Sequence, residues 1–207
     1  MARLLAQRDY RLVINARRAN ELREAEKELG RYTEVVAVAG DVSEIAEEIA
    51  GRALQEFGRI DVLVNNASTI GRSPMPPLEH HPWQSLLLIY KINVVAPLHL
   101  AQLVIPGMKL RGSGTIINIT SDAGVNAYPG WGGYGSSKAA LAHASRILAA
   151  ELKATGIRVL DVDPGDMNTE MHRLAEPGVD LSHLPDPRQV APAIVALLEP
   201  QLLRAVV

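Results

Sequence analysis

Residues Ile116 to Leu141 read IINITSDAGVNAYPGWGGYGSSKAAL, and the fold turns on them. An apolar run from Thr115 to Ile119 reads as a buried strand that ends in Thr120-Ser121. A glycine-rich loop follows, and a helix opens around Tyr134-Gly135-Ser136-Ser137-Lys138. Residues four apart on a helix share a face, so the Tyr134 phenol and the Lys138 ammonium lie side by side. The strand end delivers Ser121 toward the same spot. A hydroxyl, a phenol and an ammonium brought together suit proton transfer to or from a carbonyl or alcohol oxygen. Alone, Tyr134 and Lys138 read equally as two helix-surface residues, so the rest of the chain has to decide.

Outward from this stretch, short apolar runs alternate with helical patterns for almost the whole length. That alternation predicts an α/β fold with a doubly wound parallel sheet between two helical layers. Met1 to about Gln7 reads as the tail of a helix, Arg11 to Ala16 as a strand, and Ala19 to Leu29 as a charged helix with Gly30 as its C-cap. The next strand, Glu34 to Ala39, closes on Gly40-Asp41-Val42. Ser43 is placed to N-cap a helix whose Ile45, Ile49, Ala53, Leu54 and Phe57 have helical spacing. Asp61 to Asn65 is a compact strand, followed by a Pro-rich loop from Ser68 to Pro82. A helical stretch from Trp83 to about Leu110 is then bent or divided by Pro97 and Pro106. Beyond the central stretch come a strand, Gly156 to Val162, and a weakly periodic cover, Asp166 to Pro185. A helix from Pro187 to Leu198 and a short last strand from Leu202 to Val207 complete the chain. No repeat or linker interrupts, so residues 1–207 read as a single domain.

Apolar residues make up 47% and charged residues 21% of the 207, ordinary values for a globular protein. A net charge of −2 with scattered basic residues gives no polyanion footprint, which argues against nucleic acid as a main partner. The absence of cysteine excludes disulfides, thiolate metal sites and a cysteine nucleophile. Six histidines are spread out, and adjacent His80-His81 point in different directions, so surface and capping roles outrank a metal site. The opening MARLLAQRDYRL lacks the apolar core of a signal peptide, and no run of about 18 apolar residues stands out. A cytoplasmic protein without a membrane span is expected.

In order along the chain, these features resemble the classical short-chain dehydrogenase/reductase family. Asn65-Asn66-Ala67-Ser68 is similar to its Asn-Asn-Ala-Gly motif, and Asn93 within KINVV to its helix asparagine. Ser121, Tyr134 and Lys138 resemble its catalytic serine, tyrosine and lysine. Pro164-Gly165-Asp166-Met167-Asn168-Thr169 resembles its Pro-Gly-x-x-x-Thr segment. Each match is weak alone; their shared order at strand ends over nearly the whole chain is what carries weight.

The resemblance implies a Rossmann-like sheet, a nicotinamide cofactor and a small carbonyl or alcohol substrate. It implies Tyr134 as general acid in reduction and base in oxidation, with the Lys138 ammonium favouring the phenolate and holding the nicotinamide ribose. Ser121 would orient and polarise the substrate carbonyl, and Asn93 would hold a water linking Lys138 to solvent. Thr169, with Pro164 and Gly165, would fix the nicotinamide carboxamide. Val42, Asn66 and Ala67 belong to the implied cofactor contacts. Asp41 resembles an adenine-contacting acid, against a plain turn-capping role. Asn65 and Asn118 read as structural. Asp161 and Asp163, on one side of a strand, are either a functional pair or polar groups satisfied at the site's rim. Segments 122–131 and 166–185 are candidate substrate walls, with Trp131 either lining an apolar pocket or packing at a loop. A homodimer or homotetramer through the helices holding Asn93 and Tyr134 is implied as well.

Cofactor choice is read at the tip Asn15-Ala16-Arg17-Arg18, which has two guanidiniums and no carboxylate. A carboxylate there suits a ribose 2′-OH, whereas Arg accommodates a 2′-phosphate. NADP is therefore expected, with NAD as the alternative and Arg17 as the more direct contact; two solvated arginines are the plainer reading.

The family's first strand and its Thr-Gly-x-x-x-Gly-x-Gly turn are missing from this chain, which begins with Met1-Ala2-Arg3-Leu4-Leu5 inside the helix that should follow them. Without that turn no backbone N–H cradle faces the pyrophosphate. The implied strand order, 3-2-1-4-5-6-7, would leave pairing edges exposed on two interior strands. The preferred explanation is a sequence starting at an internal methionine of a longer protein. A true short variant with a rearranged sheet, or a strand donated by a partner, are the others. Two functions follow: an NADPH-dependent carbonyl reductase or alcohol dehydrogenase, and a catalytically silent relative that acts by binding.

Overall fold

Among the described residues, valine, isoleucine and leucine dominate five short strands, as expected where β-branched residues pack on a pleated surface covered from both sides. They are β1 (Leu12–Ala16), β2 (Val35–Ala39), β3 (Val62–Asn65), β4 (Gly114–Ile119) and β5 (Ile157–Val162). The structure is a computed structural model that describes residues 1–198. The strands are parallel and fall into two sheets, β1-β2 and β3-β4-β5. The expected last strand, Leu202 to Val207, lies outside the described residues.

Helices α1 (Ala2–Ala6), α2 (Ala19–Leu29), α3 (Ala46–Phe57), α4 (Trp83–Tyr90), α5 (Ala96–Arg111), α6 (Gly132–Glu151), α7 (Glu170–Ala175) and α8 (Pro187–Ala196) flank the strands. The period-two geometry of β4 divides its side chains between two cores. Ile116 packs with Val104 and Met108 of α5, whereas Ile117 and Ile119 pack with Leu5 of α1 and Ile194 and Val195 of α8. The result is the three-layer Rossmann-like arrangement.

The division into two sheets falls where the sequence implied a missing strand. One edge of β1 pairs with β2 and one edge of β3 with β4, and their other edges face each other. Val13, Ile14, Val62, Leu63 and Val64 are only half-buried for that reason.

Two local readings need correction. Ser43 does not cap α3: its amide and hydroxyl both donate to Asp41 Oδ1, at 2.9 and 2.7 Å, and Ile45 occupies the cap position. The carboxylate two residues earlier won that hydroxyl. Trp83–Arg111 is a continuous helical stretch of 29 residues; an 18-residue window within it has a mean hydropathy of 1.5, enough by length and composition alone to cross a bilayer, and 44% of that window is buried against the rest of the protein. Ile89, Ile92, Ala96, Leu100, Ala101, Val104 and Met108 form its buried side. It is divided not at a proline but at a π turn, Lys91–Val95, where Ala96 N–H reaches back five residues to the Lys91 carbonyl.

Candidate active site

Ser121 leaves β4 in an extended conformation and caps a 3₁₀ turn, Asp122–Gly124, accepting from Ala123 N–H at 3.2 Å. Its hydroxyl donates to Asp122 Oδ1 at 3.2 Å, and Asp122 Oδ2 accepts from the Tyr128 hydroxyl at 2.7 Å. This turn lies directly on α6, and two glycines make that possible. A Cβ on Gly135 would sit 2.5 Å from the Ala123 carbonyl oxygen, and one on Gly124 would sit 2.9 Å from Ala139 N. The close approach brings Ser121 to Tyr134.

Tyr134 is buried, and its phenol is pushed up to about 12, chiefly by that burial. A hydrogen bond with Ser121 pulls it down, Asp163 and Asp122 push it up by their charge, and a hydrogen bond with Ser68 pulls it down. Desolvation of the phenolate outweighs both hydrogen bonds. Lys138 Nζ lies 5.5 Å from the Tyr134 ring centroid and donates to the Ile119 carbonyl at 2.7 Å. Burial lowers the Lys138 ammonium to about 8.

Asn93 is fully buried behind this pair rather than in the cleft. Its Nδ2 donates to the Thr69 carbonyl and the Ser137 hydroxyl, both at 2.9 Å, and its Oδ1 accepts from Thr69 N–H at 2.8 Å and Ser68 Oγ at 3.2 Å. The side chain is committed to protein partners, so the main-chain carbonyl is the group Asn93 has left for a water. Pro97, four residues on, has no N–H to give it.

A cleft of about 980 Å³ runs between the loops at the strand ends. Arg17, Arg18, Asp41 and Val42 line it, as do Asn66 and Ala67, and Ser121, Tyr134, Lys138, Pro164, Gly165 and Thr169. Thus the cleft gathers every expected site residue except Asn93. Arg18 is held by Glu170 and Glu21, each at 3.0 Å. Burial pushes the Asp41 carboxyl up, but the two Ser43 hydrogen bonds and the charges of Arg17 and Lys91 outweigh it and hold it below its ordinary value. Asp41 thus anchors its own turn. Thr169 Oγ1 caps α7, accepting from His172 N–H at 3.1 Å.

The remaining polar candidates separate cleanly. Asn65 donates to the Pro97 carbonyl at 3.2 Å and to Asn118 Oδ1 at 2.7 Å, and Asn118 donates to Ser145 Oγ at 2.7 Å; these are buried structural ties. Asp161 pairs with Arg146 at 3.1 Å, while Asp163 accepts from Gly165 N–H at 2.9 Å, so they form no functional pair. Among the described residues no cluster of three or more His, Asp or Glu is placed to hold a metal. Trp131 stands edge-on to Tyr134, Tyr128 and His172, with centroids 5.8, 6.2 and 6.2 Å away, and lines the cleft.

Sequence reasoning passed over Ser68 and Ile70. Ser68 stands where the resembled motif has glycine, and that departure was the available signal. Its hydroxyl reaches both Asn93 and Tyr134. Ser68→Ala removes a bond that favours the phenolate; with Tyr134 in the proton-transfer role proposed for it, alcohol oxidation near pH 9 is expected to fall by about 3- to 10-fold and carbonyl reduction to hold. Comparing the two directions across pH 7–10 checks this.

Residues 1–179 match the short chain dehydrogenase family. The chain belongs to that family. One relative, an uncharacterized oxidoreductase from Thermotoga maritima, is 34% identical over 170 residues, 81% of this chain and 66% of the relative's length. Among solved structures, an alcohol dehydrogenase from the archaeon Thermococcus sibiricus complexed with 5-hydroxy-NADP superposes with a TM-score of 0.83 at 28% identity. It covers 95% of this chain and 83% of its own. A 7α-hydroxysteroid dehydrogenase complexed with NADH and 7-oxo glycochenodeoxycholic acid superposes with a TM-score of 0.82 at 28% identity, covering 93% and 78%. For this short-chain dehydrogenase the residues present suit a nicotinamide dinucleotide at both ends of the cleft. Guanidiniums and an acidic turn stand at one end, and a buried Tyr-Lys pair beside a Pro-Gly turn at the other.

Proposed function

We propose that this chain is an NADPH-favouring carbonyl reductase or alcohol dehydrogenase in which Tyr134 is the proton donor and acceptor. The observation that carries the reading is one cleft holding Arg17 together with Ser121, Tyr134 and Lys138. Arg17, Arg18, Asp41 and Val42 would hold the adenosine end, Asn66 and Ala67 the middle, and Lys138, Pro164, Gly165 and Thr169 the nicotinamide end. When bound, the nicotinamide supplies a hydride to the carbonyl carbon or takes one from the alcohol carbon.

This chain's own residues handle the proton. A phenol at about 12 stays protonated at neutral pH, so Tyr134 is ready to give its proton to the oxygen of a reduced carbonyl. Ser121 orients that oxygen, and Ser68 and Ser121 accept the role of steadying the phenolate left behind. The Lys138 ammonium favours the phenolate left behind, and solvent protons would reach it past the Asn93 carbonyl. Trp131, Met171 and Ile70 form an apolar wall that suits a bulky uncharged substrate and excludes water. The whole of residues 1–207 acts as one domain in this reading, in a cytoplasmic protein with no membrane or nucleic-acid partner. The exposed Trp83, Leu87, Leu88 and Val95 would pair with a second copy in a dimer or tetramer.

Titration with each nucleotide tests the cofactor choice. NADPH is expected to bind tighter than NADH, and Arg17→Ala to weaken NADPH by about 10- to 100-fold while barely changing NADH. Tighter NADH binding by the unaltered chain would sink it. A second reading, a silent relative that binds without turnover, draws on the two unpaired interior strand edges. Turnover with NADPH and any ketone would dispose of it.

A further inference from the structure

Asp122 follows Ser121 in the chain and stands one hydroxyl away from the Tyr134 phenol. Its two oxygens have different partners. The Tyr128 hydroxyl donates to Oδ2 at 2.7 Å, and Asn126 Nδ2 approaches the same oxygen at 3.5 Å. Tyr128 is itself braced, its ring edge-on to Trp131, which stands edge-on to Tyr134 in turn. Oδ1 accepts from the Ser121 hydroxyl at 3.2 Å. The Tyr128 bond does most to hold the Asp122 carboxyl below its ordinary range; burial works against it, and bonds from Asn126, Ser121 and Ala123 N–H add to it. The carboxylate is therefore charged throughout pH 7–10.

Ser121 has one proton and two places to put it. Pointed at Tyr134, that proton steadies a phenolate. Pointed at Asp122 Oδ1, it leaves the serine oxygen as an acceptor for the phenol's own proton. An anionic acceptor draws a hydroxyl proton more strongly than a neutral phenol does. Ser121 Oγ also accepts from Ala123 N–H at 3.2 Å, which fixes the oxygen and leaves its proton to be directed. We propose that Asp122 is a positioning residue: it turns the Ser121 proton away from Tyr134 and so keeps the resting site poised to donate to a carbonyl rather than to accept from an alcohol. The inference rests on the proton role proposed for Tyr134 and adds a control on its direction.

The other charged groups nearby act differently. Lys138, on the helix of Tyr134, favours the phenolate and donates to the Ile119 carbonyl at 2.7 Å. Asp163, beyond β5, adds negative charge, but its carboxylate is engaged with Gly165 N–H at 2.9 Å. Asp166 acts by charge on Tyr128, and His172, edge-on to Trp131, pairs with Glu176 at 3.4 Å. Of these carboxylates, Asp122 bonds the serine.

The test follows oxidation of cyclohexanol with NADP⁺ and reduction of cyclohexanone with NADPH, by the full chain, across pH 7–10. Asp122→Asn keeps the size and an acceptor for Tyr128 but loses the charge. It is expected to speed oxidation at pH 9 by about 5- to 10-fold, displacing the pH profile about one unit lower. Reduction at pH 7, where the phenol is protonated either way, is expected to change by less than about threefold. Tyr128→Phe keeps the charge and is expected to leave oxidation unchanged or slower. A loss in both directions in Asp122→Asn would mean that the carboxylate merely ties the turn down and would overturn the proposal. An equal gain in both variants would trace the effect to a loosened turn rather than to charge, and would overturn it too. Turnover by the unaltered chain with an unmoved profile in Asp122→Asn would overturn this inference alone. No turnover by the unaltered chain would overturn the proposed function and this inference with it.

Discussion

Tyr134→Phe is expected to lower kcat by about 10²- to 10⁴-fold while changing the affinity for NADPH by no more than about twofold. The substitution removes one hydroxyl and nothing else. The ring stays packed against Trp131, and Lys138 keeps its bond to the Ile119 carbonyl. What is lost is the phenol that hydrogen-bonds with both Ser121 and Ser68. Stopped-flow measurement of hydride transfer beside a fluorescence titration separates the two effects. A variant with near-normal turnover would remove Tyr134 from the chemistry.

Gly135→Ala is expected to cost about 1–3 kcal/mol of stability, the usual range for overpacking, and to depress activity beyond what the unfolded fraction explains. The added methyl would meet the Ala123 carbonyl at 2.5 Å, and that carbonyl belongs to backbone, which cannot rotate away. Relief comes only by lifting the turn that carries Ser121 off α6. The thermal midpoint should fall by several degrees for a domain of this size. Activity per folded molecule, measured well below that midpoint, should fall as well, because Ser121 retreats from Tyr134. Gly51→Ala, in the open on α3 with no atom within 4 Å of its Cβ, serves as the control and should do neither.

The parts of this molecule that were legible in the sequence are those set by local pattern. The apolar runs that became β4 and β5 are apolar because both faces are covered, so periodicity and composition found them. The candidate site residues were picked out by their order along the chain, Ser121 where β4 ends and Asn93, Tyr134 and Lys138 on helical segments. What the sequence hid depends on competition in three dimensions. Ser43 had the right residue type for a cap, but Asp41 held its hydroxyl first. Lys138 and Tyr134 share a helix face as their spacing required, yet spacing says nothing about dehydration, and burial moved both pKa values away from ionisation. Asn93 was recognised by motif, but only the fold reveals that four hydrogen bonds consume its amide. Gly124 was read as part of a loop and Gly135 as part of a helix; their use is to let the turn and the helix touch.

The proposed NADPH reading makes one spatial demand, and a crystal structure of the chain soaked with NADPH meets it most directly. The account predicts the adenosine 2′-phosphate at Arg17 and the nicotinamide ribose within hydrogen-bond distance of Tyr134 and Lys138. A nucleotide bound outside this cleft, or reversed within it, would contradict the account.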